Sequence, residues 1–417
     1  MPELQIKKIN IDKLFLAILG FTGGFILLVF SCSSQNSANQ LATQAYTPAP
    51  QKDRIICGAD QLSEYLPMLQ NKNIALVVNQ TSVIGKTHLA DSLLSLKVNI
   101  KKIFSPEHGF RGTADAGEKV SNDLDSKTGL SIISLYGKNR KPSKESLADV
   151  DVVIFDIQDV GARFYTYIGT MHYVMQACAE NNKQLLILDR PNPNGFYVAG
   201  PVLDMKHKSF VGMHPVPIVH GLTIAEMASM INGEHWLDSE KVCKINIIKV
   251  KNYAHKDRYS LPVKPSPNLP NDQAIRLYPA LCLFEGTEIS VGRGTEFPFQ
   301  VIGSPNKKNG TFTFTPKSIE GMAKNPPYEN VVCYGTDLRN LYPESSIFTL
   351  KWLIEYYHKA TDKDKFFNNF FNNLAGNSTL QTQIKKGMTE DQIKKSWEPE
   401  LAKYKKLRKK YLMYEDN

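Results

Sequence analysis

The chain has 417 residues, of which 42% are hydrophobic and 22% charged, so it is long enough for two domains with separate cores. This composition excludes an intrinsically disordered body. The net charge of +9 raises the question of a nucleic-acid partner, but residues 385–410 hold ten basic and four acidic residues and account for most of the excess. Apolar residues three and four apart in that stretch predict a docked helix with a solvated basic face, so we expect no nucleic acid. Attraction of that face to anionic lipid or to an acidic cell-wall polymer is a secondary alternative.

The first fifty residues have the layout of an export signal followed by a tether. Three lysines precede an apolar run at 14–30, and the "VFSC" that ends it resembles a lipobox, in which Cys32 is lipidated. The run is slightly short for a membrane span and contains three glycines, so we favour lipidation over a transmembrane anchor. Residues 33–53 are predicted to be a flexible linker, because they are almost free of apolar side chains. We therefore expect an exported lipoprotein with a signal peptide at 1–32, on the periplasmic side of the cell envelope. Ser33 favours sorting to the outer membrane.

From residue 74 onward, apolar runs of strand length alternate with helix-like stretches. The runs have no polar face, which is typical of parallel strands covered by helices on both sides. We predict strands at 74–78, 100–104, 131–135, 150–155 and 184–188, with helices at 87–96, 143–148, 167–181 and 221–234. The pattern predicts an α/β fold, with a Rossmann-like, doubly wound parallel-sheet domain over residues 54–240.

The remaining residues, 241–417, are predicted to form a smaller α+β domain. Strands are expected at 244–250 and 311–316, separated by long loops that are rich in proline. Thr389 followed by Gln392 has the pattern of a capping box and predicts the start of a terminal helix. Pro399 predicts the start of a second helix.

Polar residues follow every predicted strand of the parallel sheet. Because ligands of open α/β sheets bind outside the carboxyl ends of the strands, we expect these residues to meet at one site. In chain order they are Asn79, Gln80 and Thr81; Ser105, Glu107 and His108; Tyr136; Asp156, Gln158 and Asp159; Asp189, Arg190 and Asn192.

Three common kinds of site do not match these residues. The first strand lacks G-x-G-x-x-G, and "QTSVIGKT" has Gln80 where a P-loop needs its first glycine, so we expect no nucleotide. His108, Asp156 and Asp189 could converge on a metal, but no H-E-x-x-H or H-x-H spacing is present. The G-x-S-x-G elbow of serine hydrolases is also missing. We therefore expect neither a metal nor a cofactor.

The arrangement that remains is a carboxylate site of the kind that hydrolyses glycosides. Glu107 and Asp156 would form the pair, one protonating the leaving oxygen and the other acting as nucleophile, base or electrostatic stabiliser. His108 would tune or orient Glu107. Arg163 and Tyr165 would suit an acidic sugar, by pairing with its carboxylate and stacking on its ring. Purely structural roles, such as a helix cap or an internal ion pair, are about as compatible with Asp156 and Arg163.

Several linked motifs resemble the exo-β-N-acetylmuramidases of glycoside hydrolase family 171, long described as a domain of unknown function. They are "NQTSVIG", "SPEHGFRGTADAGEKV", "FDIQDVGARFYTY", "LDRPNPNGF", "GPVLD", "PIVHGLTIAEMA" and "LFEGTEISVGRGTEFPFQ". The resemblance spans roughly residues 54–415. It implies a Rossmann-like N-terminal domain with the active site and a C-terminal domain that completes the substrate cleft. It also implies release of N-acetylmuramic acid from the non-reducing end of peptidoglycan fragments.

The resemblance also implies roles for particular residues. Glu107 of "SPEHG" would be the principal catalytic carboxylate. The same cleft would be lined by Asp156, Gln158, Asp159 and Arg163, and approached from the second domain by Glu285, Thr287 and Arg293. Together with the residues at the strand ends, the expected substrate-binding set is Asn79, Arg111, Tyr136, Gln158, Asp159, Arg163, Tyr165, Asp189, Glu285, Thr287 and Arg293. We hypothesise that Arg163 or Arg293 binds the lactyl carboxylate of muramic acid.

Two other functions remain open from the sequence. A non-catalytic peptidoglycan-binding lipoprotein would use the same aromatic and arginine side chains but would not need Glu107. A metal-dependent cell-wall amidase or esterase would need His108 and Asp156 as ligands. The stereochemical outcome of a glycosidase depends on the separation of its carboxyl groups, which a sequence does not contain.

Overall fold

The fold is that of a computed structural model, which describes residues 53–107, 109–111, 123–341 and 348–416. The strands in this part of the chain are β1 (Ile74–Val78), β2 (Val83–Ile84), β3 (Thr87–His88), β4 (Ile100–Ser105), β5 (Asp123–Leu124), β6 (Ser131–Ser134), β7 (Val152–Asp156), β8 (Gln184–Leu188), β9 (Ala199–Val202), β10 (Pro217–Val219), β11 (Lys244–Ile248), β12 (Val301–Ser304), β13 (Phe312–Phe314) and β14 (Cys333–Asp337). The α-helices are α1 (Leu62–Leu69), α2 (Leu89–Ser95), α3 (Tyr167–Glu180), α4 (Ile224–Gly233), α5 (Asp272–Leu281), α6 (Lys351–Lys359), α7 (Phe371–Ala375), α8 (Thr379–Lys385) and α9 (Glu390–Arg408).

The sheet has the strand order of a Rossmann fold. Its order is β11-β8-β7-β1-β4-β6-β5, and every neighbouring pair is parallel except β5 with β6. Counted along the chain, the six parallel strands lie in the order 3-2-1-4-5-6, which reverses between β1 and β7. The predicted α/β fold class is confirmed, and each of the five strands predicted for this sheet is present.

The central strands are apolar on both faces because each face packs into a separate core. Ala75 and Val77 of β1 pack into the cluster that contains α3 and α4. Leu76 and Val78 of the same strand pack into the cluster that contains α1 and α2. Burial on both faces explains why these runs show no alternation of polar and apolar residues.

Three local predictions need correction. The strand predicted at 244–250, in the second domain, is β11, which pairs with β8 and extends the large sheet. β11 is the partly exposed edge strand, so its alternating pattern resembled that of a separate small sheet. Residues 143–148 contain a short 3₁₀ turn, Glu145–Leu147, instead of a helix. Pro399 lies inside the single helix α9, because its apolar residues pack on the protein body on both sides of the proline and offset the lost hydrogen bond.

The later part of the chain contains the smaller antiparallel sheet that was expected. Its order is β12-β14-β13, and β13 corresponds to the strand predicted at 311–316. The predicted capping box is present, since Thr389 and Gln392 exchange backbone-to-side-chain hydrogen bonds at the start of α9. The hydroxyl of Tyr404, on α9, donates to the carbonyl of His220 and ties this helix to the α/β domain. None of the helices in the described ranges is both long and apolar enough to cross a membrane.

Candidate active site

A pocket of about 140 Å³ lies at the carboxyl edge of the sheet, next to the point where the strand order reverses. It is surrounded by the turn after β4, the first residues of α3, a loop that precedes α5, and α5 with the segment after it. The lining residues are Glu107, Phe164, Tyr165, Thr166, Tyr167, Ser266, Asn268, Leu269, Tyr278, Glu285, Arg293 and Phe299. This is the position at which Rossmann-type sheets bind their ligands, as the strand pattern predicted.

Glu107 is held at the pocket by two hydroxyl groups from neighbouring elements. The hydroxyl of Thr166, which precedes α3, donates to Oε2 of Glu107 at 2.9 Å. Tyr136, which follows β6, also hydrogen-bonds to this carboxylate. Burial first, and the Glu107 carboxylate second, raise the pKa of the Tyr136 phenol to about 12, so this group is a hydrogen-bond donor at neutral pH. The carboxylate is therefore oriented by two donors, one at the start of α3 and one after the end of β6.

Aromatic rings form much of the pocket wall. The ring centroids of Tyr165 and Tyr167 lie 4.8 Å apart, and those of Tyr278 and Phe299 lie 5.0 Å apart. The hydroxyl of Tyr165 donates to the carbonyl of Pro265 at 2.8 Å. The side-chain amide of Asn79 donates to the hydroxyl of Tyr167 at 2.9 Å. The rings are thus fixed in place and present rigid apolar surface, which suits the face of a sugar ring.

A second carboxylate reaches the pocket from the segment after α5. Arg293 Nε donates to Glu285 Oε1 at 2.5 Å, and the guanidinium carbon lies 5.1 Å from the centroid of the Phe299 ring. Burial alone would lower the pKa of Arg293, but the adjoining Glu285 carboxylate outweighs burial and raises it. The predicted approach of Glu285 and Arg293 to the site agrees with this geometry.

Asp156 does not face the pocket, contrary to its predicted role as partner of Glu107. Its side chain has no exposed surface, and both carboxylate oxygens accept hydrogen bonds from Arg190, at 2.6 and 2.9 Å. Burial raises the pKa of Asp156, and the Arg190 guanidinium opposes that shift. Asp156 does lie at the end of a strand, as predicted. The sequence does not show, however, that Arg190, which follows the neighbouring strand, donates to both of its carboxylate oxygens.

Arg163 also points away from the pocket, which corrects the hypothesis that it binds the substrate. Its Nη1 donates to the carbonyls of Pro201 and Val216, and its Nη2 donates to those of Leu374 and Ala375. Burial lowers the pKa of this guanidinium to about 9. Arg163 therefore joins three backbone segments and has no terminal nitrogen left for a ligand.

Several other predicted residues have structural contacts outside the pocket. Gln158 donates to the carbonyls of Asp159 and Pro191. Asp159 accepts from the backbone of Gly161, and Asp189 accepts from Tyr414 and from the backbone of Ala225. Arg111 pairs with Asp125, and Thr287 closes a turn with the carbonyl of Phe284. His108 and Cys32 lie outside the described residues.

The sequence reasoning missed several pocket residues, including Thr166, Asn268, Tyr278 and Phe299. Thr166 lies inside a quoted motif, "FYTY", and could have been selected as a donor beside Glu107. Phe299 also lies inside a quoted motif, "LFEGTEISVGRGTEFPFQ", whereas Asn268 and Tyr278 lie in none of the quoted motifs. Folding brings all three to the pocket. Across the described residues, no cluster of three or more His, Cys, Asp or Glu side chains is placed to hold a metal ion.

Two family models match almost all of the folded chain. The model described as "Exo-beta-N-acetylmuramidase NamZ, N-terminal" matches residues 74–273, and the one described as "Exo-beta-N-acetylmuramidase NamZ, C-terminal" matches residues 276–414. A curated relative from Bacillus subtilis (strain 168), named peptidoglycan beta-N-acetylmuramidase NamZ, is 36% identical over 424 residues. That match covers 95% of this chain and 99% of the relative.

Two solved structures are also similar to this chain. A DUF1343 family protein from Bacteroides fragilis NCTC 9343 is 49% identical, with a TM-score of 0.82, and the match covers 88% of this chain and 100% of that one. A second DUF1343 protein from the same organism is 29% identical, with a TM-score of 0.74 and the same two coverages. These likenesses agree with the observed fold.

Proposed function

The chain belongs to the exo-beta-N-acetylmuramidase NamZ family, and on that premise we propose that it releases N-acetylmuramic acid from the non-reducing end of peptidoglycan fragments. We propose Glu107 as the principal catalytic carboxylate. The observation that carries the assignment is its position: Glu107 lines the pocket at the carboxyl edge of the sheet, where hydroxyl groups of Thr166 and Tyr136 orient it. The matched family and the relative from Bacillus subtilis support the activity.

The walls of the pocket support a sugar substrate. The pocket has a volume of about 140 Å³ and is lined by fixed aromatic rings, which suit the face of a sugar residue.

The chemistry proposed for Glu107 is proton transfer or nucleophilic attack at the terminal glycosidic bond. The transition state resembles an oxocarbenium ion, which a neighbouring carboxylate stabilises. Glu285 is the second carboxylate of the pocket, in place of Asp156, and Arg293 holds it in position. The rings of Tyr165 and Tyr278 line the same pocket as these two carboxylates.

The test is hydrolysis of a chromogenic β-N-acetylmuramide by the protein without residues 1–51, since residues 52–417 form one compact unit. Replacing Glu107 by Gln keeps the side-chain shape but removes the proton-transferring group, so we expect kcat to fall about a thousandfold, or about 4 kcal/mol. Glu64→Gln is the matched control, because Glu64 forms a surface ion pair with Lys251.

The same assay separates the alternatives. A parent protein that binds glycan but does not hydrolyse it would favour a non-catalytic binding protein. A parent protein that leaves the muramide intact but cleaves amide or ester groups of peptidoglycan, and loses that activity on treatment with a chelator, would favour a metal-dependent amidase or esterase. Activity that survives in the Glu107→Gln variant would refute the assignment of the carboxylate.

We also propose that the chain is an exported lipoprotein, anchored through Cys32 at the outer membrane. The support is the order of basic residues, apolar run and "VFSC" in the first 32 residues, with Ser33 next. In cells fed a labelled fatty acid, we expect the full chain to carry the label and to sediment with outer membranes. A Cys32→Ser variant that took up the label equally well would contradict the proposed anchor.

A further inference from the structure

The two terminal nitrogens of Arg293, Nη1 and Nη2, are available to a ligand. Its Nε is occupied by Glu285, while Nη1 and Nη2 donate to no acceptor among the described residues. The side chain is 22% exposed, and the pocket is the space that it lines. Its position is set by two contacts, the Glu285 carboxylate and the ring of Phe299. A guanidinium held through Nε presents its two terminal N–H groups in the parallel geometry that binds a carboxylate.

Arg163 and Arg111 already bind other groups of the protein. The terminal nitrogens of Arg163 donate to four backbone carbonyls. Arg111 is bound to Asp125 through both Nε and Nη2. Within the described part of the pocket wall, Arg293 is the cationic side chain, and it lies in the same pocket as Glu107.

We propose that Nη1 and Nη2 of Arg293 bind the lactyl carboxylate of the terminal N-acetylmuramoyl residue, and that this contact distinguishes it from N-acetylglucosamine. The inference rests on the proposed function, because it concerns the same pocket. The two sugars share the ring and the 2-acetamido group, and differ at O3, where muramic acid carries the ionised lactyl group. A cation placed at that group would discriminate between the two sugars, and Glu285 holds the guanidinium of Arg293 in place.

Glu285 has a defined part in this arrangement. Its carboxylate offsets one positive charge, so the pair is close to neutral before substrate binds and the pocket does not attract anions indiscriminately. The substrate carboxylate then approaches the opposite side of the guanidinium from Glu285. Arg293 is thus a specificity-determining residue, and Glu285 positions it.

The test is a binding cycle that does not depend on catalysis. Affinities of N-acetylmuramic acid, its lactyl methyl ester and N-acetylglucosamine are measured by calorimetry for the parent and for Arg293→Gln. We expect the parent to prefer the acid over the ester and over N-acetylglucosamine by about ten- to a hundredfold, as charge-assisted hydrogen bonds give. We expect the variant to bind all three probes about equally, at the affinity that the parent has for N-acetylglucosamine.

Arg339→Gln is the matched control, because Arg339 also pairs with a carboxylate, Asp337, and lies 4.6 Å from an aromatic centroid, that of Phe297. This residue lies outside the pocket, so its variant should keep the preference of the parent. Arg293→Lys retains the charge without the fork, and should keep part of the preference for the acid.

Either of two results would overturn the proposal. One is a parent that binds the methyl ester as tightly as the acid, which needs no variant to interpret. The other is a folded Arg293→Gln variant that still prefers the acid. The proposed function fails separately, since its failure is a parent that does not hydrolyse a β-N-acetylmuramide.

Discussion

Replacing Asp156 by Asn separates a structural role from the catalytic role that its position at a strand end predicted. In the folded protein Asp156 and Arg190 are 0% and 3% exposed, and they share two hydrogen bonds. Arg190 also donates to the carbonyl of Val83, so the pair ties the end of β7 to β2. Removing the carboxylate leaves a buried guanidinium without its counter-charge.

The magnitude follows from the burial of this pair. Breaking a buried ion pair by removing one partner typically costs about 3–5 kcal/mol. For a unit of about 365 residues, the entropy of unfolding converts this loss into a decrease of about 4–7 °C in Tm. Chemistry in the molecules that remain folded should change little, because Asp156 does not line the pocket.

The assay combines urea unfolding, a thermal melt and the specific activity per folded molecule at 20 °C below the Tm of each protein. Glu107→Gln is the opposite case, with a Tm near that of the parent and a rate about a thousandfold lower. A double change, Asp156→Leu with Arg190→Met, should recover part of the stability, since both charges are removed together. An Asp156→Asn variant with unchanged Tm and a rate lowered a thousandfold would refute this reasoning and return Asp156 to the chemistry.

Three further outcomes are expected. Tyr136→Phe removes one donor to Glu107 and should lower kcat about tenfold or more with a smaller change in KM, and a normal rate would contradict the role of this hydroxyl. Arg163→Met should lower the free energy of unfolding by about 3 kcal/mol in urea, because four carbonyls lose their donors, yet leave sugar selectivity intact; altered selectivity would reopen its role in binding. Burial raises the pKa of Asp189 from 3.8 to about 6 in the folded protein. Between these two pH values the native state therefore binds a proton that the unfolded state does not, and this proton binding stabilises the fold. The stabilisation is fully present below pH 4 and is lost as the pH rises through 6. The free energy of unfolding of the parent, measured in urea, should therefore fall by about 3 kcal/mol between pH 4 and 7, and that of Asp189→Asn should not. The same pH dependence in both proteins would contradict this prediction.

Of the two carboxylates predicted to share the site, Glu107 lines the pocket and Asp156 does not. Glu107 and Asp156 follow parallel strands on either side of β1, so both were expected at one edge of the sheet. Their backbone positions agree with that expectation. Their side chains do not, because the direction of a side chain and its partners depend on residues brought close by folding.

The two candidate arginines also differ in the partners that folding brings to them. Arg163 and Arg293 were equally good candidates for an acidic sugar when judged by residue type and motif. The terminal nitrogens of Arg163 are occupied by carbonyls from three segments, whereas Arg293 donates to Glu285 through Nε. Hydrogen-bond capacity that remains after folding is a property of tertiary structure, and composition does not encode it.

The sequence by itself predicted the parallel sheet, because apolar runs such as those at 74–78 and 152–155 alternate with helix-like stretches that can cover both faces of a sheet. It determined the capped start of α9, since Thr389 and Gln392 act on backbone groups within one turn. It also determined the edge at which Glu107 lies, from the end of β4. Only the tertiary structure decided which carboxylate shares the pocket with Glu107 and which arginine can receive a ligand. These depend on contacts between segments far apart in the chain, whose geometry follows from packing of the whole core and not from local propensity.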